Sequence, residues 1–517
     1  MEDSNNEKNY DHIEDYKVDD FLVLGLENVE PSYSQFDGKM YAGRIPVEHD
    51  GTGTNEDDKN GKPDTGRRIG KTMFWLFEPT TQEIPNTVVI WLNGGPGCSS
   101  FNCGVMMEHS PVTQPLHDAG YCCLKNSKPQ LDYNEHTWTK LTTMLYIEHP
   151  WGTGFSYGLP EPKIESEASS DLYYFLQNFF TIFDHLADHD LYIFGESYAG
   201  MFVPSIMKYI HNANTKLLDS GDKTFGNGLV PNKHINLHGG AMGNGWIDPM
   251  IQGPATIDYS WWHGLIDQPT RDALHTLFEE CIASGKGSGQ HPLSTQKLPP
   301  FMHTFSVQDD CGMMWGILLA SGHPNEYDIT TFDANVDQVT FTSEEFYNSP
   351  AVKQALHAPT DHFWHGCQWG EGRRNRNLLQ TNTTLASNPR MSMQQAIRKL
   401  YMDNDRPISM KYYMSELLDA GYPLLVYNGD RDMTTNMVGT ELVLNQLDWH
   451  GKDHWLDAPR GLWNTNNYPS GWVKEYDNLI FAVVYNSGHM VSSSVCVLVP
   501  SFGLIALCSD VFSPSIY

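Results

Sequence analysis

Residues 191–200 read LYIFGESYAG, an apolar run that passes into a short turn of small residues around a serine. An apolar run ends at Gly195-Glu196-Ser197-Tyr198-Ala199-Gly200, and the apolar segment MFVPSIMKYI follows directly. A serine on a tight turn between a strand and a helix holds its hydroxyl above the sheet, and the next amide can stabilise an oxyanion. Small flanking residues avoid collisions with neighbouring backbone, and Ala199 stands where the general pattern has glycine. The stretch predicts a nucleophile, Ser197; the alternative is an ordinary turn.

Apolar runs of strand length recur along the chain, and most of them end in Gly, Asp or His. Their β-branched and aromatic content is typical of buried strands. They cover residues 72–77, 87–95, 143–150, 190–197, 235–245, 423–430 and 478–489. Between two of them, residues 171–186 have apolar side chains at helical spacing behind Ser170, a candidate N-cap. Strands alternating with helices predict an α/β fold, with a mainly parallel, mixed sheet covered by helices on both faces.

Breaks in this alternation predict the domain organisation. We expect one α/β core made of two chain segments, interrupted by an inserted cap over the carboxyl edge of the sheet. The first residues, up to about 20, are expected to be a solvated acidic arm. The predicted segments are an acidic arm 1–34, a first core segment 35–248, the cap 249–350, a second core segment 351–491 and an atypical apolar tail 492–517.

Composition limits the classes of partner. The formal net charge is −30, which excludes nucleic acid because phosphate binding needs clustered Lys and Arg. The nine cysteines form no CxxC pair and no zinc spacing with histidine, so we expect no metal and no other cofactor. The apolar tail is too interrupted for a membrane span of about 20 apolar residues, so membrane association is not expected.

Cysteine usage also bears on the compartment. Disulfides in an oxidising compartment explain the cysteines better than buried thiols do, and Asn382 begins a glycosylation sequon. The first 20 residues are acidic and polar, unlike a signal peptide. Either the protein is cytosolic, which the cysteines and the sequon oppose, or the numbering starts downstream of a leader.

A nucleophilic serine needs a base and an orienting acid, which follow it in the order Asp, His in this kind of fold. Asp432 comes just after the run 423–430, and His489 ends the run 478–489, so both lie at strand carboxyl ends. Asp430 is the competing acid. The alternatives are a surface turn for the two aspartates and a structural role for His489, one of 22 histidines.

Residues 91–100, WLNGGPGCSS, run from a strand into a glycine-rich turn. No GK[ST] follows, so the turn is not a phosphate-binding loop. It fits an oxyanion loop, because the Gly95 N–H can point at the site with no side chain in the way. The alternative is a tight turn with a purely structural role.

Four motifs together, WLNGGPGCSS, GESYAG, NGDRD and SGHMV, resemble the serine carboxypeptidase family, in order from about Tyr41 to Val491. The segment 151–158, WGTGFSYG, resembles the family's substrate-lining loop. The resemblance implies an α/β-hydrolase fold and an exopeptidase acting on peptide or protein C-termini. It implies the following roles: nucleophile Ser197, orienting acid Asp432, base His489, and oxyanion-hole N–H groups of Gly95 and Tyr198.

The same resemblance implies a site for the terminal carboxylate of the substrate. That site would consist of Asn93, Gly94, Glu196 and a partner acid about fifteen residues into the WLNGGPG segment. Glu108 fits this position only if one residue is inserted.

The resemblance also implies disulfides and a compartment. It pairs Cys98 with Cys367, and Cys281 with Cys311 inside the cap. It places the protein in the secretory pathway, either vacuolar or lysosome-like, or secreted.

Two other functions stay open at this level. The same triad can serve an acyltransferase or esterase, because an acyl-enzyme can be released by an alcohol or by water. After GHMV the family continues with a proline and an amphipathic helix, whereas this chain has the apolar tail, so an inactive binding protein is the third hypothesis.

Overall fold

The computed structural model describes residues 9–50, 66–114, 124–125, 128–129, 131–221, 228–283, 317, 320–322, 324–332, 343–367, 409–465 and 468–491. Cys311, Asn382 and the tail 492–517 lie outside the described residues. The pairing of Cys281 with Cys311, the glycosylation of Asn382 and the character of the tail therefore stay predictions.

A mixed sheet of eleven strands forms the centre of the protein. In chain order the strands of the described residues are β1 (Gly38–Asp50), β2 (Arg67–Pro79), β3 (Thr87–Leu92), β4 (Val112–Thr113), β5 (Leu124–Lys125), β6 (Lys128–Pro129), β7 (Asp132–Tyr133), β8 (Thr143–Ile147), β9 (Tyr157–Leu159), β10 (Asp190–Glu196), β11 (Leu237–Gly243), β12 (Pro324–Asn325), β13 (Asp328–Phe332), β14 (Leu424–Gly429), β15 (Arg460–Thr465), β16 (Tyr468–Tyr476) and β17 (Leu479–Val484). Strands β4 with β7, β5 with β6, and β12 with β13 form separate two-stranded sheets. The order across the sheet is β1-β2-β8-β3-β10-β11-β14-β17-β16-β15, with β9 beside β2. The central strands, from β8 to β17, pair in parallel, and the outer strands are antiparallel. The predicted mainly parallel, mixed sheet is confirmed.

Each of the seven apolar runs forms a strand of this sheet. The outer strands β1, β15 and β16 were not predicted. Strand β1 contains Gly38, Gly43 and Pro46, which break up the apolar pattern, and β15 exposes Leu462 to solvent. Strand β16 has few buried positions among exposed and partly exposed ones, so it also lacks the continuous apolar run of a central parallel strand.

Helices cover both faces of the sheet. They are α1 (Glu165–Ile182), α2 (Ala199–Ser220), α3 (Pro249–Trp262), α4 (Gln268–Ala283), α5 (Pro350–Ala355), α6 (Lys411–Asp419), α7 (Met437–Leu444) and α8 (Lys452–Asp457), with a π-helix at Phe101–Glu108. Neighbouring residues of β2 point to different cores: Phe74 packs against Phe175 and Phe179 of α1, and Trp75 packs against Phe101 of the π-helix. Within the ranges described above, no helix combines the length and the apolar character needed to cross a bilayer.

The predicted start of the first long helix was wrong. Helix α1 begins at Glu165 rather than after Ser170, which is buried in its second turn. Glu165 and Glu167 occupy the first turn, where acidic groups interact favourably with the helix dipole.

The N-terminal residues also differ from the solvated arm that the sequence predicts. Residues 9–35 form four short 3₁₀ turns in which Ile13, Tyr16 and Phe21 are buried. The Phe21 ring centroid lies 5.4 Å from that of Phe74 on β2. Isolated apolar residues among many acids are sufficient to hold this segment on the core.

Parts of the predicted cap contact loops at the carboxyl edge of the sheet. Tyr259 of α3 belongs to a separate apolar cluster that also contains Met433. The Tyr259 hydroxyl donates to the Asp430 carbonyl at 2.7 Å, which ties α3 to the loop after β14.

Candidate active site

The predicted strand-to-helix turn joins β10 to α2. Ser197 lies between them with φ of 65°, a left-handed conformation that few non-glycine residues adopt. The Ser197 N–H donates to the Gly243 carbonyl at 3.0 Å, and the Ser197 carbonyl accepts from Trp246 N–H at 2.8 Å. A Cβ on Gly200 would lie 2.6 Å from the Trp246 nitrogen, so this side of the turn has room only for glycine. Hydrogen bonds and close packing thus hold the strained serine in place.

A buried acid–histidine pair forms at the carboxyl ends of β14 and β17. The Asp432 Oδ2 atom lies 2.8 Å from His489 Nδ1, and both side chains are buried. The competing acid, Asp430, instead accepts from the Ser487 N–H through its Oδ1 at 3.3 Å. Of the two aspartates, Asp432 is the one that faces the histidine.

Further donors hold Asp432, and the sequence patterns did not identify them. Asn244 Nδ2 and Thr435 Oγ1 donate to Asp432 Oδ2 at 2.6 and 2.7 Å, and Thr434 N–H donates to Oδ1 at 2.9 Å. With this carboxylate accepting at Nδ1, the other ring nitrogen of His489 is left to act as a base. Asn244 directly follows β11, and its position at a strand carboxyl end was the one available signal.

The main chain of His489 is held by the predicted cap. Its N–H donates to the Tyr327 carbonyl at 2.8 Å, and the two ring centroids lie 4.8 Å apart. No motif marks Tyr327, because the contact uses its backbone and its ring face.

The glycine-rich turn after β3 lies against the serine. A Cβ on Gly94 would be 2.3 Å from the Tyr198 nitrogen and 2.8 Å from Ser197 Cβ. The following residue, Gly95, has φ of 113°, which glycine adopts readily. The turn closes through a hydrogen bond from Cys98 N–H to the Gly94 carbonyl at 3.0 Å. Cys98 is joined to Cys367, as predicted.

Two buried carboxyl groups meet beside this turn. Glu196, Glu108 and Asn93 are each no more than 3% exposed. Burial, and then the charge and hydrogen bond of Glu108, raise the pKa of Glu196 well above its usual range. Asn93 Nδ2 donates to Glu108 Oε1 at 3.3 Å, while its Oδ1 accepts from Trp91 Nε1 at 2.7 Å. The indole can only donate, so it fixes which way the Asn93 amide points.

The π-helix explains how Glu108 reaches this pair despite the extra residue. Val105 N–H donates to the Ser100 carbonyl, and His109 N–H to the Gly104 carbonyl, at spacings of five residues. A π turn holds more residues than an α turn and is frequent at functional sites. Cys103 lies in this turn as a free thiol, and burial, followed by Glu108 and Glu196, raises its pKa.

The residues that the structure describes bring together no group of three His, Cys, Asp or Glu side chains able to hold a metal ion. They provide a serine on a strained turn, a carboxylate–imidazole pair, backbone amides and a paired acid. This set supplies nucleophilic and acid–base chemistry.

Comparison with known proteins agrees with this arrangement. Residues 64–497 match the family model of serine carboxypeptidases. Serine carboxypeptidase-like 49 of Arabidopsis thaliana is 31% identical over 82% of this chain and 71% of its own length. A pheromone-processing carboxypeptidase of Neosartorya fischeri is 27% identical over 88% of this chain and 63% of its own length.

The crystal structure of a prohormone-processing carboxypeptidase from Saccharomyces cerevisiae superposes with a TM-score of 0.67, at 24% identity and 96% coverage of both chains. This likeness shows the shared α/β-hydrolase fold. With the family match over most of its length, the chain belongs to the serine carboxypeptidase family.

Proposed function

We propose that this protein hydrolyses the C-terminal peptide bond of peptides and proteins through an acyl-enzyme on Ser197. The observation that carries this proposal is the buried acid pair, Glu196 and Glu108, immediately beside the nucleophile. An ordinary esterase site has no need for two carboxyl groups there, whereas an exopeptidase must recognise a free carboxylate.

In the proposed reaction, Ser197 Oγ attacks the scissile carbonyl carbon while His489 takes the hydroxyl proton. Asp432 holds the ring and stabilises the imidazolium that forms. The N–H groups of Gly95 and Tyr198 stabilise the oxyanion. His489 then protonates the leaving amine. Water attacks the acyl-enzyme carbonyl while His489 takes a proton from it, and His489 returns a proton to Ser197 Oγ as the ester bond breaks and the new carboxylate leaves.

The acid pair gives the reaction its preference for chain ends. Two neighbouring carboxyl groups resist joint ionisation, so the pair retains a shared proton above the usual range for glutamic acid. The protonated acid donates a hydrogen bond to the substrate carboxylate, and Asn93 and Gly94 provide neighbouring donors. A peptide without a free terminal carboxylate gains none of these bonds.

A blocked dipeptide assayed with a free and with an amidated C-terminus tests the proposal. We expect cleavage of the free acid and little or none of the amide. Equal rates would contradict the exopeptidase proposal and favour an esterase or acyltransferase on the same triad. Absence of turnover together with absence of phosphonate labelling would favour a non-catalytic binding protein.

The Ser197→Ala variant provides the matching control. Loss of the nucleophile should lower kcat by about 10⁶-fold, as in other serine hydrolases, while the melting temperature stays close to that of the wild type. Near-normal turnover in this variant would reject the mechanism.

The disulfide between Cys98 and Cys367 supports an oxidising compartment. We therefore place the protein in the secretory pathway. Cell fractionation would test this, by showing whether the labelled intact protein is found in the secretory-pathway fractions.

A further inference from the structure

Glu148 is a fully buried carboxyl group that the proposed mechanism does not use. It directly follows β8 and is 0% exposed. Strand β8 lies next to β3, which leads into the glycine turn, so Glu148 is at the same edge of the sheet as the proposed catalytic groups.

Three separate segments donate hydrogen bonds to this carboxyl group. Ser99 Oγ and Trp364 Nε1 each lie 2.6 Å from Glu148 Oε1, and the Phe155 N–H lies 2.6 Å from Oε2. These donors come from the loop 91–100, the loop 151–158 and the segment 362–367, which carries Cys367. One side chain therefore joins the glycine turn, the predicted substrate-lining loop and the segment that holds the disulfide partner of Cys98.

The loop 151–158 is shaped around Glu148. Gly154 has φ of 53°, and a Cβ there would lie 1.8 Å from Glu148 Oε1. Ser156 Oγ donates to the Glu148 carbonyl at 2.7 Å. Any side chain at position 154 would displace the carboxyl group, which indicates a fitted arrangement rather than a chance contact.

The partners of Glu148 suit its charged form. An indole N–H and a backbone N–H can only donate, so the neutral acid can point its proton only toward Ser99. Protonation therefore reverses the hydrogen bond from Ser99, which already accepts from Phe101 N–H at 3.0 Å. Burial opposes the charge and raises the pKa of Glu148 to about 7, although all three donors lower it.

Neighbouring groups do not supply the balancing charge. Burial raises the pKa of the Tyr347 phenol, and the charge of Glu148 raises it further, so the phenol stays protonated and neutral. Burial lowers the pKa of His149 to about 4, so it is neutral near pH 7. His362 Nε2 lies 2.7 Å from the Gly154 carbonyl, and Lys353 Nζ lies 5.8 Å from the Phe155 ring centroid. No Lys or Arg of the described ranges contributes a charge interaction to Glu148.

We propose that Glu148 is a positioning residue whose ionised carboxylate fastens the loops 91–100 and 151–158 and the segment 362–367 together. The glycine turn is then held at Ser197 fully only while Glu148 is charged. Ser100 transmits the constraint, because its Oγ accepts from Asn93 N–H at 3.1 Å and donates to the Ile147 carbonyl at 2.7 Å. The inference rests on the proposed function, since it assigns a role in that same reaction.

The test compares the wild type with Glu148→Gln on an ester substrate that lacks a free terminal carboxylate, which removes the Glu196–Glu108 pair from the profile. At pH 8 we expect kcat/KM of Glu148→Gln to be about tenfold lower than that of the wild type. At pH 5 the two should converge, because the protonated wild type then resembles the glutamine variant. A ratio that is the same at both pH values would overturn the proposal.

Two further variants separate positioning from simple damage. Glu148→Asp keeps an ionisable carboxyl group. The ratio of its kcat/KM to that of the wild type should therefore not approach one at pH 5. Glu161→Gln is the matched control, because burial also raises the pKa of Glu161 but its carboxyl forms no hydrogen bond with the three segments as far as they are described. It should match the wild type throughout; a pH-dependent ratio in this variant would also contradict the assignment to Glu148.

Thermal melting provides a readout that does not need activity. Burial costs the charged carboxylate more than its three donors return, so the folded state binds the Glu148 proton more tightly than the unfolded chain does. The associated stability is therefore full below the ordinary range of glutamic acid, even though the charged form is the one that the donors hold in place. It is lost as pH rises through about 7. Between pH 5 and 8 the wild type should therefore lose more thermal stability than Glu148→Gln, and parallel profiles would overturn the proposal. If the wild type neither cleaves the ester nor reacts with a phosphonate, the proposed function fails. A Glu148→Gln to wild-type ratio that does not change with pH in an active wild type overturns only the Glu148 assignment.

Discussion

In the proposed reaction, Asp432 acts through His489 and does not touch the substrate. Its Oδ2 atom lies within 2.8 Å of three partners, from His489, Asn244 and Thr435. Each bond restricts where the carboxylate, and therefore the imidazole, can lie.

Thr435→Val should lower kcat by roughly ten- to a hundredfold with little change in KM. A hydrogen bond to a charged group is worth about 1.5–3 kcal/mol, and about 1.4 kcal/mol corresponds to a factor of ten. Thr434→Val is the neighbouring control, because its hydroxyl donates to the Glu326 carbonyl and not to the acid. Steady-state kinetics that show equal losses in both variants would contradict this role for Thr435.

The Glu196 carboxyl should give the proposed exopeptidase a characteristic pH dependence. The pKa of Glu196 is raised by burial and by Glu108, so the acid ionises as pH rises and then repels the substrate carboxylate. KM for a free-acid peptide should rise about tenfold or more between pH 5 and 8, equivalent to ~1.4 kcal/mol or more of repulsion.

Glu196→Gln keeps a donor without the charge and should flatten this rise, as should Glu108→Gln. The amide of the same peptide shows what the other titrating groups contribute. The same pH dependence for acid and amide in the wild type would refute carboxylate recognition.

The sequence predicted the candidate residues that lie in local motifs, and it missed polar side chains outside those motifs that hold them in place. Ser197 and the 91–100 turn stand in short motifs that backbone geometry requires. Asn244 and Thr435 come from separate segments and meet at Asp432, and Glu148 meets donors from three segments, so their contacts exist only in the folded chain. Neither periodicity nor spacing records such a contact.

At the level of elements, a buried ion pair fastens the first two strands to the first long helix. Arg68 on β2 donates through Nε and Nη2 to the two oxygens of Asp171 on α1, each at 2.7 Å. His49 on β1 approaches the same carboxylate at 2.9 Å. All three side chains are buried, so the charges depend on one another.

Asp171→Asn should destabilise the protein by about 3–5 kcal/mol, because it leaves the buried Arg68 without a full counter-charge. The same change at exposed Asp184, just beyond the end of α1, should cost less than about 0.5 kcal/mol. Melting temperatures measured in parallel would show the difference. A stability loss of similar size in both variants would mean that the ion pair is not the cause.

The elements differ in how visible they are to sequence reasoning. Central parallel strands are buried on both faces and have an apolar run that stands out. Strand β1 and the 3₁₀ turns before it lack such a run, and their place follows from contacts such as that between Phe21 and Phe74. The π-helix was implied only indirectly, by the one-residue mismatch at Glu108.

For the whole molecule, the described disulfide joins two distant regions of the chain. Cys98 and Cys367 are 269 residues apart in sequence, and Cys98 closes the glycine turn beside Ser197. The link therefore connects overall stability with the geometry of the proposed oxyanion site.

The double variant Cys98→Ser/Cys367→Ser should lose up to about 5 kcal/mol, the value that the chain-entropy model gives for long loops. Its kcat should fall as well, because the turn loses one anchor. Cys103→Ser is the control, since Cys103 is a free thiol five residues from Cys98. Unchanged melting and activity in the double variant would contradict this role of the disulfide.

The order of strands in the sheet has a consequence for biosynthesis. Strand β17 pairs directly with β14, yet it is made more than 280 residues after β10, which carries the serine turn. A ribosome must therefore release nearly the whole described chain before His489 can approach Asp432. Until then the emerging polypeptide would have the proposed nucleophile without the proposed base, so we expect the proposed activity to be absent during translation.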